Sequence, residues 1–275
     1  MKKIILLLVL VASATVLLPA QNRETRNVGT FTKIGYRVPG TLYLKQGSPA
    51  KVELEGPSDV LREIETEVDG DKLIIGKEHR WSNWGWNDRD KITVYVTMPD
   101  IKGLSVSGSG NLVAREKITT GDLDLNVSGS GSLTLEFSAN GNVEADVSGS
   151  GDVDIKGTCN NFDSDVSGSG KVIIAGTIQG MADFGVSGSG KISASGTAKE
   201  VKAGISGSGR VYAASLATDK CNVRISGSGD VEINVKEDLD ATISGSGSIT
   251  YSGDPKRINS HSSGSGQVRK RSSSL

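Results

Sequence analysis

Ser-Gly-Ser-Gly occurs nine times in the last two-thirds of the chain, beginning at Ser107, Ser128, Ser148, Ser167, Ser187, Ser206, Ser226, Ser244 and Ser263. Successive copies lie 21, 20, 19, 20, 19, 20, 18 and 19 residues apart. A flexible linker has no reason to keep such a step. A tetrapeptide that returns on a near-constant period marks a corner that a repeating backbone passes once per turn. This spacing limits the chain to a coil of similar turns.

The residues between the corners alternate. From Asn142 to Ile155, the positions Val143, Ala145, Val147, Gly149, Gly151, Val153 and Ile155 share one parity. Glu144, Asp146, Ser148, Ser150, Asp152 and Asp154 share the other. A period of two means extended backbone with one apolar and one wet face. The same register returns over residues 162–174, 182–194, 201–213, 221–233 and 239–251. Both glycines of each motif, among them Gly108, Gly110, Gly129, Gly131, Gly149, Gly151, Gly168 and Gly170, then fall on the inner parity as structural corners, and both serines face outward. A looser turn follows the second strand, as at Gly157-Thr158, Gly176-Thr177 and Gly196-Thr197.

Stacking such turns pairs each strand in parallel with its counterpart one turn away. Parallel sheets need both faces covered, and a solenoid covers its inner face with its own opposite wall. Hairpins in a meander or sandwich would suit strands of this length, but would leave the constancy of one corner unexplained. The expected fold is all-β: a parallel β-helix-like solenoid with about 20 residues per rung. Apolar residues make up 36% of the chain and aromatics 4%, enough for a thin repeated core rather than a wide globular one.

Residues 1–20 read as a signal peptide, with Lys2 and Lys3 before an apolar run and Pro19-Ala20 before Gln21. Residues 21–102 lack the motif but alternate in segments near 28–34, 41–45, 51–55, 63–68, 72–75 and 91–97, with a short helical turn expected near 57–61. They read as a strand-rich leader and cap. Residues 103–268 form the repeat solenoid, and 269–275 a basic and Ser-rich tail whose charge should discourage end-to-end stacking. The net charge of −1 gives no basic field for nucleic acid. No second segment could span a membrane as a helix once the signal is removed. Cys159 and Cys221 lie about three rungs apart, ~14 Å at ~4.8 Å per rung, too far for a disulfide. Oligomeric state is not legible.

These rungs give the chain a resemblance to a known family. Its serial Val/Ile-Ser-Gly-Ser-Gly units, the late Tyr251-Ser252-Gly253-Asp254-Pro255 and the leader segment Val68-Asp69-Gly70-Asp71-Lys72-Leu73 resemble the auto-transporter adhesin head GIN domain proteins. Those are exported proteins of unknown function from Bacteroidetes. The resemblance covers nearly all of residues 28–268. It implies adhesion at the cell surface and brings no catalytic residues with it. The sequence shows no translocating barrel, so self-transport is not expected.

Three constellations are candidates for binding. The Ser pairs would form two outward columns able to meet sugars or ordered water, or would bond local backbone. Asp124, Glu144, Asp163 and Asp183 recur four residues before the motif, with Asp146 and Asp165 beside them. Like charges stacked across strands repel; Ca²⁺ with oxygen ligands would relieve them, as would solvent. The row ends at Lys202. Trp81, Trp84 and Trp86 hold every Trp of the chain within six residues, to stack on a glycan or to cover a flank. His79 and His261 stand far apart, no nucleophile–base order is visible, and no cofactor motif occurs. The expected function is a non-catalytic, exported, adhesin-like or cell-envelope binding protein in the periplasm or on the outer surface. The alternatives are a glycan- or ice-binding Ser array, then a polysaccharide lyase-like enzyme.

Overall fold

The computed structural model describes residues 22–76 and 92–271. The signal segment and Trp81, Trp84 and Trp86 lie outside them. The first part comprises β1 (Asn22–Arg26), β2 (Lys33–Tyr36), β3 (Thr41–Gln46), β4 (Lys51–Gly56), the single-turn helix α1 (Ser58–Leu61), β5 (Thr66–Asp69), β6 (Lys72–Ile75) and β7 (Thr93–Met98). The repeats follow as β8 (Gly103–Gly108), β9 (Asn111–Ala114), β10 (Ile118–Thr120), β11 (Leu123–Gly129), β12 (Ser132–Ala139), β13 (Val143–Gly149), β14 (Asp152–Cys159), β15 (Phe162–Gly168), β16 (Lys171–Ile178) and β17 (Met181–Gly188). The chain ends in β18 (Lys191–Gly207), β19 (Arg210–Gly227), β20 (Asp230–Gly245), β21 (Ser248–Ser252), β22 (Arg257–Gly264) and β23 (Gln267–Lys270).

These strands build a parallel β-solenoid of about eight turns, some 20 residues apart. One wall stacks β8, β11, β13, β15, β17, the later halves of β18 to β20, and β22. The other stacks β9, β12, β14, β16, the earlier halves of β18 to β20, then β21 and β23. Pairing continues past a glycine bend into a short third side, where Gly157, Thr158 and Cys159 oppose Gly176, Thr177 and Ile178. The sequence suggested two strands and two corners per turn; this third stretch is the difference.

Register explains the core. Val127, Val147, Val166, Val186, Ile205, Ile225 and Ile243 sit directly above one another on the first wall. Leu133, Val153, Val172, Ile192, Val211, Val231 and Ile249 do so on the second. All are buried. Each buried β-branched or Leu side chain contributes about 1.5–3 kcal/mol, so a core this thin suffices when every turn repeats it.

The leader continues the same walls. β2 pairs in parallel with β8 and β3 with β9. Beyond them the direction changes: β4 lies antiparallel to β7, β1 to β4, and β5 to β6. The first wall therefore ends, at its N-terminal side, on a strand that runs against the column, β5, whereas the second passes through reversed β4 and ends on β1, which runs with the column again.

Candidate functional site

The Ser-Gly-Ser-Gly corners stack in register, with Ser128 opposite Ser148, Ser148 opposite Ser167, and Ser167 opposite Ser187. Their two glycines do different work. The second is buried and roofs the valine of the turn before. A Cβ on Gly151 would meet Val127 Cγ1 at 2.5 Å and Gly131 O at 2.6 Å. The first is not interior, contrary to the alternation. It lies at the rim, partly exposed, with φ of +120° at Gly168, and a Cβ there would meet Gly149 O at 2.5 Å. Simple alternation fails here because the left-handed φ rotates the chain out of the strand's period of two.

The corner is tied to its neighbours through the backbone. Ser150 N donates to Gly129 O at 2.8 Å, Ser169 N to Gly149 O at 2.8 Å, and Ser189 N to Gly168 O at 2.9 Å. The serine hydroxyls take no part. All but that of Ser107 belong to exposed residues, and none hydrogen-bonds another described protein group. They are not spent on local backbone and stand free for water or a ligand along one rim.

The acidic row also forms as a stack. Asp124 opposes Glu144, Glu144 opposes Asp163, Asp163 opposes Asp183, and Asp183 meets Lys202. Beside it Asp165 N donates to Asp146 Oδ1 at 3.1 Å, and Ser164 Oγ donates to Ala145 O at 2.7 Å. Repulsion from Asp146 holds the Glu144 carboxyl above its ordinary range. Burial, then the charge of Asp183, raises Asp163; burial, then Asp146, raises Asp165. Among the described residues no three carboxylates, His or Cys converge as a metal cage. The acids form a line along the stacked strands.

The row borders a cleft of about 420 Å³ that the sequence reading missed. Its other walls are Asp122, Asn142, Asn161 and Met181. Asn142 N donates to Asp122 Oδ1 at 2.8 Å, Asn161 Nδ2 to Asn142 Oδ1 at 3.0 Å, and Met181 N to Asn161 Oδ1 at 3.0 Å. Side chains here add to the turn-to-turn backbone bonds, among them Asn160 N to Gly141 O at 2.8 Å. The signal was present in the sequence as Asn142 and Asn161, one step of the repeat apart.

A second feature absent from the sequence reading lies on the outer face of the first turns. Tyr43 and Tyr95 stack with centroids 5.7 Å apart, the Arg115 guanidinium lies 3.7 Å above Tyr43, and that of Arg23 4.3 Å from Tyr95. Both ends of the aromatic pair are thus covered by cations, and the stack fastens β1, β3 and β7 together. Cys159 and Cys221 are free and buried. Burial pushes the thiols up to about 11 and about 12, so both stay protonated and inert.

The geometry defines a class: an all-β solenoid whose outer surface repeats along an axis, with one hydroxyl-lined rim and one acidic cleft. The chain belongs to the family described as "Putative auto-transporter adhesin, head GIN domain", whose model matches residues 30–192 and 176–255. Solved structures share the fold. A putative adhesin from Parabacteroides distasonis is 21% identical with a TM-score of 0.70, over 91% of this chain and 97% of that one. A putative lipid binding protein from the same species is 24% identical with a TM-score of 0.68, over 91% and 97%. A putative adhesin from Parabacteroides merdae is 21% identical with a TM-score of 0.67, over 92% and 96%. No curated protein sequence matches the chain.

Proposed function

We propose that the protein is an exported, non-catalytic solenoid that works by contact at the cell envelope, as an adhesin-like protein. Its family supports this reading. The observation that carries it is the rim: nine corners in register, each presenting two hydroxyls that the described residues leave unengaged. A surface repeated along a rod binds by many weak contacts, and avidity then exceeds any single affinity. No helix among the described residues is long and apolar enough to cross a membrane.

Polyhydroxylated envelope glycans suit such a rim. The purified protein should bind bacterial or host cells and a subset of glycans on an array. Replacing Ser167, Ser187 and Ser206 with Ala should weaken that binding severalfold with the melt unchanged. Failure to bind any cell or glycan preparation would refute the proposal. The same free hydroxyls favour a second reading, an ice-ordering array, which inhibition of ice recrystallisation would reveal. Trp81, Trp84 and Trp86 remain a proposed binding element on sequence grounds; Trp84→Ala should reduce adhesion while leaving the melt in place. Calcium is the ion that a line of carboxylates would bridge between turns. A Tm that rises in Ca²⁺ for the native protein, but not for Asp163→Asn with Asp183→Asn, is the test.

A further inference from the structure

Just past the hydroxyl rim, the second wall opens on a column of like charges. Lys171 opposes Lys191, and Lys191 opposes Arg210. Each base stands two residues after the second serine of its corner, Ser169, Ser189 or Ser208. The backbone fixes them there: Lys171 N donates to Gly151 O, Lys191 N to Gly170 O and Arg210 N to Gly190 O, each at 3.0 Å. Along the rim and second wall of these turns, residues 166–178, 186–198 and 205–217 hold these three bases and no carboxylate. Acids bound the strip at both ends, Asp152 opposite Lys171 and Asp230 opposite Arg210.

Cations stacked on successive turns, ~4.8 Å apart, repel. The protein pairs one of the three: Arg210 meets Asp230 at 3.5 Å. Lys191 has no carboxylate partner among the described residues, and its ammonium lies 5.2 Å from the centre of the Tyr212 ring, a contact that holds it on the wall. Lys171 forms no ion pair among the described residues, although Asp152 stands one turn away. Beside each base are two serine hydroxyls that no described group engages. Two residues further along the wall, Ile173 and Tyr212 are half-buried and offer apolar surface. The strip thus joins uncompensated positive charge, free hydroxyls and a small apolar floor over three turns.

Building on the reading of the rim as a glycan surface, we propose that this strip binds a short stretch of an acidic polysaccharide, a linear polyuronate in which every sugar carries a carboxylate. The carboxylates meet the cations and relieve their repulsion. A uronate keeps its ring hydroxyls free for the paired serines, whereas sulfation would consume them. The apolar face of a sugar ring has Ile173 and Tyr212 beside it. A linear glycan advances with each sugar by a distance comparable to the ~4.8 Å between turns, so three sugars suit three cations. The bounding acids set that limit. They also oppose a broad anionic surface, a membrane or a nucleic-acid duplex, which would have to cover them together with the strip. The net charge of −1 adds no general attraction for anions, so the preference is local to these turns.

Titration calorimetry of the purified protein with oligogalacturonates of increasing length tests this. At low ionic strength the affinity should rise up to about three sugars and level off beyond, and it should fall in high salt as the charges are screened. The methyl-esterified oligomer, the same sugar without the charge, should bind about tenfold more weakly or less. Lys171→Gln with Lys191→Gln should weaken uronate binding about tenfold with the melt unchanged. Lys45→Gln with Lys256→Gln makes an equal change of net charge on exposed residues away from the strip, and should leave binding as it was. A native protein that binds no uronate oligomer, or that binds the ester as well as the acid, overturns the proposal. So does tighter binding to a sulfated glycan of the same length, to vesicles of anionic phospholipid or to duplex DNA. Neutral glycans or cells that still bind, and that lose binding with Ser167→Ala, Ser187→Ala and Ser206→Ala, would keep the rim reading while the strip falls.

Discussion

The Ser-Gly-Ser-Gly corner and the corner opposite it turn the same backbone in different ways. At the first, backbone N–H groups bond to carbonyls of the turn before, and glycine removes every side chain that would interfere. At the second, around residues 140–142 and 160–161, backbone bonds such as Asn160 N to Gly141 O at 2.8 Å are joined by bonds from Asn and Asp side chains. In β18, β19 and β20 the chain runs through this corner with no break in the strand. A corner with no room for a Cβ at its glycines tolerates one sequence and so repeats nine times. A corner that adds side-chain bonds to its backbone ones tolerates many, and the cleft and acidic row have formed beside it.

The sharpest way to break this comparison is to put side chains into the first corner. Gly151→Val forces a branched group onto Val127 and Gly131 O, and should cost about 3 kcal/mol in a thermal or urea melt. Gly168→Ala should cost about 2 kcal/mol through its φ of +120° and the carbonyl of Gly149. If both were neutral, the glycines would not be what holds the corner. Gly121, beside the opposite corner, would place a Cβ only 3.8 Å from Asn140 Oδ1, and its change to Ala should stay within about 0.5 kcal/mol.

Asn161→Ala removes the side-chain bonds to Asn142 and Met181 at the second corner and leaves its backbone bonds in place. The loss should be about 1 kcal/mol, since these groups are exposed and water replaces part of each bond. A loss as large as that of Gly151→Val would erase the distinction between the two corners.

The acidic row gives a smaller effect of opposite sign. Asp163→Asn with Asp183→Asn should stabilise the protein at pH 7 by roughly a few tenths of a kcal/mol, because stacked like charges repel in a water-screened site. Glu144, Asp163 and Asp165 have raised folded values, so their ionised forms cost stability at neutral pH. That cost is relieved as pH falls through those values, and the variant's advantage should shrink as the pH is lowered from 7 into the carboxylate range. A difference that stays constant until the carboxylates are protonated in the unfolded chain as well would remove repulsion as its cause. Smallest of all, Ser167→Ala should change the melt by less than about 0.5 kcal/mol, because its hydroxyl has no partner among the described residues.

The sequence made the solenoid legible because its cause is periodic. Alternation placed Val147 and Val153 inside, and the step of about 20 placed them in columns. Within the leader, the expected segments near 41–45, 51–55 and 72–75 match β3, β4 and β6 closely. The antiparallel pairing of β1 and β5 was not legible, since strand direction leaves no mark on a period of two. The first glycine of each motif was misplaced for a related reason: parity counts residues and takes no account of φ. Half of the candidate site was visible, namely Asp124, Glu144, Asp163 and Asp183. Asp122, Asn142, Asn161 and Met181 each stand two residues before a member of the row, on the same face, but their mixed chemistry hides a column that only the stacked turns make visible.

The in-register corners have one more consequence: the molecule comes in whole-number lengths. Removing residues 167–186 would join Val166 to Ser187, so that one corner follows where another stood, and the rod would be shorter by ~4.8 Å with every column intact. Removing ten residues instead would set one wall upon the other and put each inward valine against a foreign neighbour. Length in such a chain is therefore a heritable dimension that changes by discrete units, and reach can be adjusted across generations without redesigning any turn.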